Sequence, residues 1–133
     1  RRIGNQDKSE VLNLIGSVEG RQVVIVDDEI DTAGSITQAA EVCMQNGASA
    51  VYASCIHPVL SGPAIERLAA SPIREVVVTN SIAVPLAKRI DKITVLSVAA
   101  LLGETIQRIH TGASVSATYR AAETTDAGRL FSL

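Results

Sequence analysis

Aromatic residues are almost absent from this sequence of 133 residues. They make up 2% of the chain, and there is no tryptophan. Proteins that bind single-stranded nucleic acid stack bases on aromatic side chains, and a net charge of −2 provides no basic surface for a phosphate backbone. We therefore expect no nucleic-acid partner. A core without large aromatic rings must be filled by Val, Ile, Leu and Ala, as in buried parallel strands.

Long apolar runs and cysteine motifs are also lacking. No stretch approaches the roughly 20 apolar residues that a membrane-spanning helix needs, and the polar opening RRIGNQDKSE is unlike a secretory signal. We therefore expect no membrane partner. Cys43 and Cys55 lie in apolar surroundings without the spacing of a metal site or a redox pair. Reduced core cysteines are typical of cytoplasmic proteins, so we expect that location.

The hydrophobic pattern predicts a single α/β domain, which the length also fits. Strands alternate with helices, and this order predicts a parallel sheet with right-handed crossovers and helices on both faces. The polar residues 1–8 precede the pattern, and the tail from residue 111 is rich in Ser, Thr, Ala and Gly. The predicted helices lie at 9–16, 35–46, 64–70 and 98–110, and the predicted strands at 21–26, 51–56, 75–79 and 93–97.

Polar residues follow three of the predicted strands at the point where each strand ends. They are Asp27, His57 and the pair Thr79 and Asn80. Ligands of open α/β sheets bind outside the carboxyl ends of the strands, so these positions outline a site. For His57 we expect a structural role, in which a hydrogen bond orients a loop, although a catalytic or ligand-binding role stays open.

The segment that follows the first strand has the composition of a phosphate-binding loop. Asp27 and Asp28 follow directly after the predicted strand, and Gly34 would allow the backbone to approach a ligand closely. Thr32 and Ser35 supply hydroxyl donors at the start of a helix, whose N–H groups favour an anion. The carboxylates could bind sugar hydroxyls or Mg²⁺ through water. The alternative is an acidic strand–helix turn without a ligand. The lysine of a P-loop and the glycines of a dinucleotide fingerprint are both lacking.

The remaining basic residues are expected on the solvated surface of the protein. Arg1 and Arg2 would ordinarily be an exposed terminus, and His110 lies near the end of the last predicted helix, where a cation is favoured. The others expected on a solvated face are Arg74, Lys88, Arg89 and Lys92.

At residues 27–35, DDEIDTAGS, the chain resembles the ribose-phosphate diphosphokinases, or PRPP synthetases, whose signature is DD-x-x-DTAG-[ST]. The segment CIHPVLSGPAIERL at 55–68 resembles their C-[ST]-HPVLSGPA motif, and VVVTNSIAVP at 76–85 resembles their VVTN-[ST] motif. Arg1 and Arg2 resemble the end of the K-R-R flexible loop of the family, whose lysine would precede Arg1. The resemblance extends over about residues 1–118.

The resemblance implies a type I phosphoribosyltransferase-like fold and the transfer of diphosphate from MgATP to ribose 5-phosphate, which gives PRPP and AMP. It implies Mg²⁺ as cofactor, held by Asp27 and Asp28 through ribose hydroxyls or water. Arg2 would be catalytic by offsetting charge on the transferred group. The residues implied to bind substrate are Asp27, Asp28, Asp31, Thr32, Ala33, Gly34, Ser35 and Ile36.

The resemblance also implies what the rest of the protein would be. Residues 1–8 would be the remnant of the catalytic loop, 9–115 the ribose 5-phosphate-binding domain, and 116–133 a tail that is disordered or foreign to the natural chain. The chain would be a C-terminal half that binds substrate without turnover. Its partners would be ATP, the missing N-terminal half, and further copies in dimers that form a hexamer. The alternatives are a type I phosphoribosyltransferase and a non-catalytic regulatory subunit.

Overall fold

Strands alternate with helices in residues 14–117, the part of the chain that the structure, a computed structural model, describes. The predicted α/β class is confirmed. The helix predicted at 9–16 lies mostly outside this part, and its last residues, Leu14 and Ile15, are not helical. The elements in chain order are β1 (Gln22–Ile30), α1 (Gly34–Gln45), β2 (Ala50–Pro58), α2 (Ala64–Ala70), β3 (Ile73–Thr79), a 3₁₀ turn (Leu86–Lys88), β4 (Ile93–Leu96) and α3 (Ala99–Thr111).

The first strand is longer than its apolar run. It continues to Ile30, four residues beyond the predicted end at Val26. The cause is the parallel pairing with β2, which extends through Ile30 opposite Pro58. Backbone hydrogen bonds thus hold the strand past the point where its side chains become acidic. Asp27 and Asp28 therefore lie within the strand instead of following it.

The four strands form one parallel sheet in the order β1-β2-β3-β4. Each strand pairs with the next one in the chain, so every crossover moves one position along the sheet in the same direction. Right-handed crossovers in one direction place their helices on one face. α1 and α2 accordingly contact each other and share a single core with the sheet. Within residues 14–96 these two helices cover the same face.

The core between the helices and the sheet is made of small and β-branched residues, as the lack of aromatics requires. Val51 and Val76 on the central strands, Ala40 on α1 and Leu68 on α2 are each 0% exposed. Close approach of α1 and α2 to the sheet is possible because alanines line much of this contact. On the opposite face of the sheet, Val24 and Val26 are exposed.

The cysteines match their predicted role. Cys43 and Cys55 are both free and buried. Burial raises the pKa of the Cys55 thiol, because the charged thiolate would lose its hydration in the core. The thiol therefore stays protonated at neutral pH.

Two lysines expected on a solvated face have structural partners instead. The Lys92 ammonium donates to the carbonyls of Leu68, Ala69 and Ser71 at distances of 3.3, 2.9 and 2.8 Å, and so caps the carboxyl end of α2. The Lys88 ammonium donates to the Leu60 carbonyl at 2.9 Å. Both lysines bond backbone groups more than 20 positions earlier in the chain, so local sequence does not reveal them.

Residues 97–117 belong to a second compact unit, which contains α3. The helix is displaced by one residue from its predicted bounds. It ends where Gly112 adopts a left-handed conformation with φ of 71°, and Arg108 pairs with Glu104 one turn earlier at 2.8 Å. None of the helices between residues 14 and 117 is long and apolar enough to cross a bilayer.

Replacement of Leu68 by alanine should destabilise the fold strongly. The side chain is fully buried between α2 and the sheet, and truncation of such a leucine costs about 2–5 kcal/mol because a cavity remains. Urea unfolding followed by circular dichroism would measure the change. Leu86→Ala is the matched control, since Leu86 is 80% exposed. Equal loss of stability in both variants would contradict the assigned core.

Candidate functional site

A pocket of about 280 Å³ lies at the carboxyl end of β1 and is lined by residues 27–36. It brings together all the residues predicted to bind substrate, whereas Arg2 lies outside the described residues. The Asp27 carboxylate accepts the N–H of Asp28 at 2.9 Å, and the Asp28 carboxylate accepts the N–H of Glu29 at 2.9 Å. Each bond uses one oxygen, Oδ1, and holds its carboxylate at the pocket.

The acidic side of the pocket carries concentrated negative charge. Asp27, Asp28, Glu29 and Asp31 are exposed, and the ion pair found between residues 14 and 117 is in α3, away from this segment of the sequence. No group of three potential metal ligands is found among the described residues. Mg²⁺ is commonly held by one or two carboxylates together with substrate oxygens and water. Asp27 and Asp28 fit that mode, in which the substrate completes the coordination.

The other side of the pocket is the start of α1. The first backbone bond of the helix runs from the Thr37 N–H to the Ala33 carbonyl at 3.2 Å. Helix geometry therefore leaves the N–H groups of Gly34, Ser35 and Ile36 for another acceptor. The first turn contains no acidic residue, so its partial positive charge is not used by a side chain of that turn. This arrangement suits an anion.

Two of the predicted binding residues can contribute backbone atoms alone. The side chains of Ala33 and Ile36 are 5% and 4% exposed and belong to the core. Ala33 also adopts a left-handed conformation, with φ of 60°, at the residue before the helix. Such a conformation is uncommon for a residue with a side chain and is maintained by its surroundings.

Gly34 lies close to a side chain of the neighbouring helix α2. A Cβ atom at this position would lie 3.2 Å from Nη1 of Arg67. The same nitrogen donates to the Thr32 carbonyl at 3.1 Å. Arg67 on α2 thus reaches the backbone of the pocket. Sequence reasoning missed this residue, because it is 35 positions from its acceptor.

His57 lies in a hydrogen-bonded network at the end of the neighbouring strand. Its Nδ1 is 3.0 Å from the Ser81 hydroxyl, which in turn donates to the Ile56 carbonyl at 2.7 Å. Because the Ser81 hydroxyl donates to that carbonyl, its oxygen can accept a hydrogen bond from Nδ1. Thr79 donates to the same carbonyl at 2.7 Å. The expected hydrogen bond of His57 is therefore present, and it joins the carboxyl end of β2 to the loop after β3.

Comparisons with known proteins agree with the resemblance. Residues 3–120 match the family described as the phosphoribosyl synthetase-associated domain. The chain is 59% identical over 111 residues to ribose-phosphate pyrophosphokinase 1 of Listeria monocytogenes, with coverage of 84% of this chain and 35% of that protein. It is 59% identical over 108 residues to the ribose-phosphate pyrophosphokinase of Bacillus cereus, with coverage of 81% and 34%. The chain therefore spans about a third of the length of these relatives.

The fold gives the same result. A crystal structure of phosphoribosylpyrophosphate synthetase from Mycobacterium smegmatis matches 74% of this chain and 33% of its own, with a TM-score of 0.72 and 41% sequence identity. The sequence match at residues 3–120 and the shared fold lead to one conclusion: the chain belongs to the phosphoribosyl synthetase-associated family.

Proposed function

We propose that this chain provides the ribose 5-phosphate and Mg²⁺ site of a ribose-phosphate diphosphokinase. The observation on which the proposal depends is a single pocket that combines the start of α1 with the carboxylates of Asp27 and Asp28. A sugar phosphate has complementary parts, an anionic phosphate and neighbouring hydroxyls. The relatives named ribose-phosphate pyrophosphokinase support the same assignment.

The phosphate of the substrate would lie against the helix start. The N–H groups of Gly34, Ser35 and Ile36 precede the first helical hydrogen bond and are suited to phosphate oxygens. The hydroxyls of Thr32 and Ser35 add donors to the same pocket. Hydrogen bonds from rigid backbone groups fix a phosphate in one orientation, and this would position the sugar that is attached to it.

The sugar would then extend toward the acidic end of the pocket. Asp27 and Asp28 accept hydrogen bonds, and ribose hydroxyls can donate them. Mg²⁺, when bound, would supply positive charge that neutralises the carboxylates and the diphosphate to be transferred. The backbone bonds to Oδ1 of both aspartates would hold the carboxylates in place for this contact.

In the proposed reaction the anomeric hydroxyl attacks the β-phosphorus of ATP. A bond forms between the anomeric oxygen and that phosphorus, the bond to the oxygen of the α-phosphate breaks, and AMP leaves. The proton of the anomeric hydroxyl is released to solvent. Arg2 would offset the charge of the transferred group. Precise placement of the sugar is the contribution of this chain, because phosphoryl transfer depends mainly on positioning and charge stabilisation.

The remaining parts of the proposal concern the complete enzyme. We infer that an N-terminal half provides the ATP contacts, that the protein forms dimers assembled into a hexamer, and that it acts in cytoplasmic nucleotide biosynthesis. The names of the relatives favour this function over a phosphoribosyltransferase that consumes PRPP. The intact pair of aspartates and the intact loop favour it over a regulatory subunit.

Replacement of both Asp27 and Asp28 by asparagine should weaken ribose 5-phosphate binding. Loss of two charged acceptors should reduce affinity by about tenfold or more, since a hydrogen bond to a charged group is worth about 1.5–3 kcal/mol. Isothermal titration calorimetry of the 133-residue chain with ribose 5-phosphate, in the presence of Mg²⁺, would measure this affinity. Asp91→Asn is the matched control, because Asp91 is exposed and outside the pocket. Unchanged affinity in the double variant would refute the proposed sugar site.

The 133-residue chain alone should release no AMP from MgATP and ribose 5-phosphate, although it binds the sugar phosphate. The reason is the proposed location of the ATP contacts in the part of the relatives that this chain does not span. A coupled assay for AMP, with the complete Bacillus cereus relative as positive control, would test this. AMP release in proportion to the concentration of the chain would show that it holds a complete active site.

A further inference from the structure

Residues 30–33, which we call the pocket loop, include the last residue of β1 and lead into α1. Three successive carbonyls of this loop accept hydrogen bonds from one other segment of the chain. That segment is residues 60–67, which we call the brace, and it connects β2 to α2 and continues into that helix. The three bonds join Leu60 N–H to Ile30 (2.9 Å), Ser61 N–H to Asp31 (2.9 Å) and Arg67 Nη1 to Thr32 (3.1 Å).

These bonds determine where the opposite side of the loop points. In a trans peptide the carbonyl and the following N–H point in opposite directions. Because the brace holds the carbonyls of Ile30, Asp31 and Thr32, the N–H groups of the next residues must point away from it. These N–H groups, which belong to residues 31–33, come directly before the N–H groups at the start of α1 that suit a phosphate. The brace thereby sets the direction of the donors.

Backbone strain coincides with this contact. Between residues 14 and 117, two non-glycine residues have positive φ: Ala33, at 60°, and Leu60, at 50°. One lies in the pocket loop and the other in the brace. Strained conformations persist where surrounding contacts over-determine them. Leu60 is buried, and its carbonyl also accepts the Lys88 bond at 2.9 Å. The loop and the brace therefore form one mutually supported unit.

Arg67 differs from the other two donors because it is a charged side chain. It is exposed, donates to the Thr32 carbonyl, and lies beside Gly34 at the beginning of α1. Its charge is not neutralised by an ion pair with any residue in the described part of the chain. It can therefore hold the loop and also make its surroundings more favourable for an anion.

We propose that Arg67 is a positioning residue for the substrate phosphate. Its guanidinium orients the peptide between Thr32 and Ala33 so that the donors of the loop converge on the phosphate, and its charge strengthens their attraction to it. This inference rests on the proposed function, because it assigns a role to Arg67 in binding the same ribose 5-phosphate.

The test compares ribose 5-phosphate affinity in the 133-residue chain and in its Arg67→Ala and Arg67→Lys variants. Arg67→Ala should weaken binding by about tenfold, as expected for loss of a charged hydrogen bond. Arg67→Lys should recover part of the affinity, because it retains a charged donor. Arg74→Ala is the matched control, since Arg74 is exposed and donates to one backbone carbonyl, that of Ser49, at the other end of β2. Its affinity should equal that of the unmodified chain.

Amide NMR spectra of the ligand-free chains separate positioning from general destabilisation. In Arg67→Ala the signals of Thr32, Ala33 and Gly34 should shift and those of the core strands should not, with thermal unfolding within a few degrees of the unmodified chain. Unchanged affinity in Arg67→Ala, with binding by the unmodified chain intact, would overturn the role of Arg67 alone. Failure of the unmodified chain to bind ribose 5-phosphate would overturn the proposed function and this inference together.

A double-mutant cycle tests the contact at Gly34. In Gly34→Ala the added Cβ would lie 3.2 Å from the Arg67 nitrogen. The guanidinium should therefore shift by a few tenths of an ångström, and ribose 5-phosphate binding should become weaker. In an Arg67→Ala background the same substitution should cost less, because the displaced group is gone. If the affinity of the double variant falls by the product of the two single fold-changes, the two residues act separately. That result would overturn their coupling.

Discussion

The parallel register between β1 and β2 is the constraint on which the candidate site depends. It places Asp27 beside Cys55 and Ile30 beside Pro58, so both strands end at one edge of the sheet. The pairing does not stop with the strands. Leu60 and Ser61 bond the carbonyls of Ile30 and Asp31, which continues the contact into two loops. A shift of one residue would reverse the faces of every side chain in β1 and also break these loop bonds.

The hydrophobic core beneath the candidate site holds the pocket loop and the brace in place. Ala33, Ile36 and Leu60 are all buried, so the loop and the brace are each anchored in the same hydrophobic cluster. The backbone polar groups of the loop and the brace form hydrogen bonds with each other, and their side chains pack into the core. The cost of two left-handed non-glycine residues is offset by this burial and by the hydrogen bonds. The stability of this region and the geometry of the candidate site therefore have a common origin.

Sequence patterns predicted the features that depend on neighbouring residues. The bounds of α2 agree fully, since Pro63 precedes the helix and an apolar pattern fills it, and the pocket was found from its acids, hydroxyls and glycine. The features that were not predicted depend on contacts between distant residues. The acidic end of β1 is a strand because β2 pairs with it. Arg67 and Lys92 look like ordinary surface cations until the fold brings them to backbone carbonyls.

The charges of the pocket bear on how the two proposed ligands would influence each other's binding. Asp27, Asp28, Glu29 and Asp31 place four acidic side chains around the pocket and concentrate negative charge there. The helix start offers roughly half a positive charge, and Arg67 adds one more. A doubly charged phosphate brought to this loop would therefore meet net repulsion from the acids. In the proposed site a divalent cation at Asp27 and Asp28 would remove most of that repulsion, so binding of Mg²⁺ and of ribose 5-phosphate would be coupled.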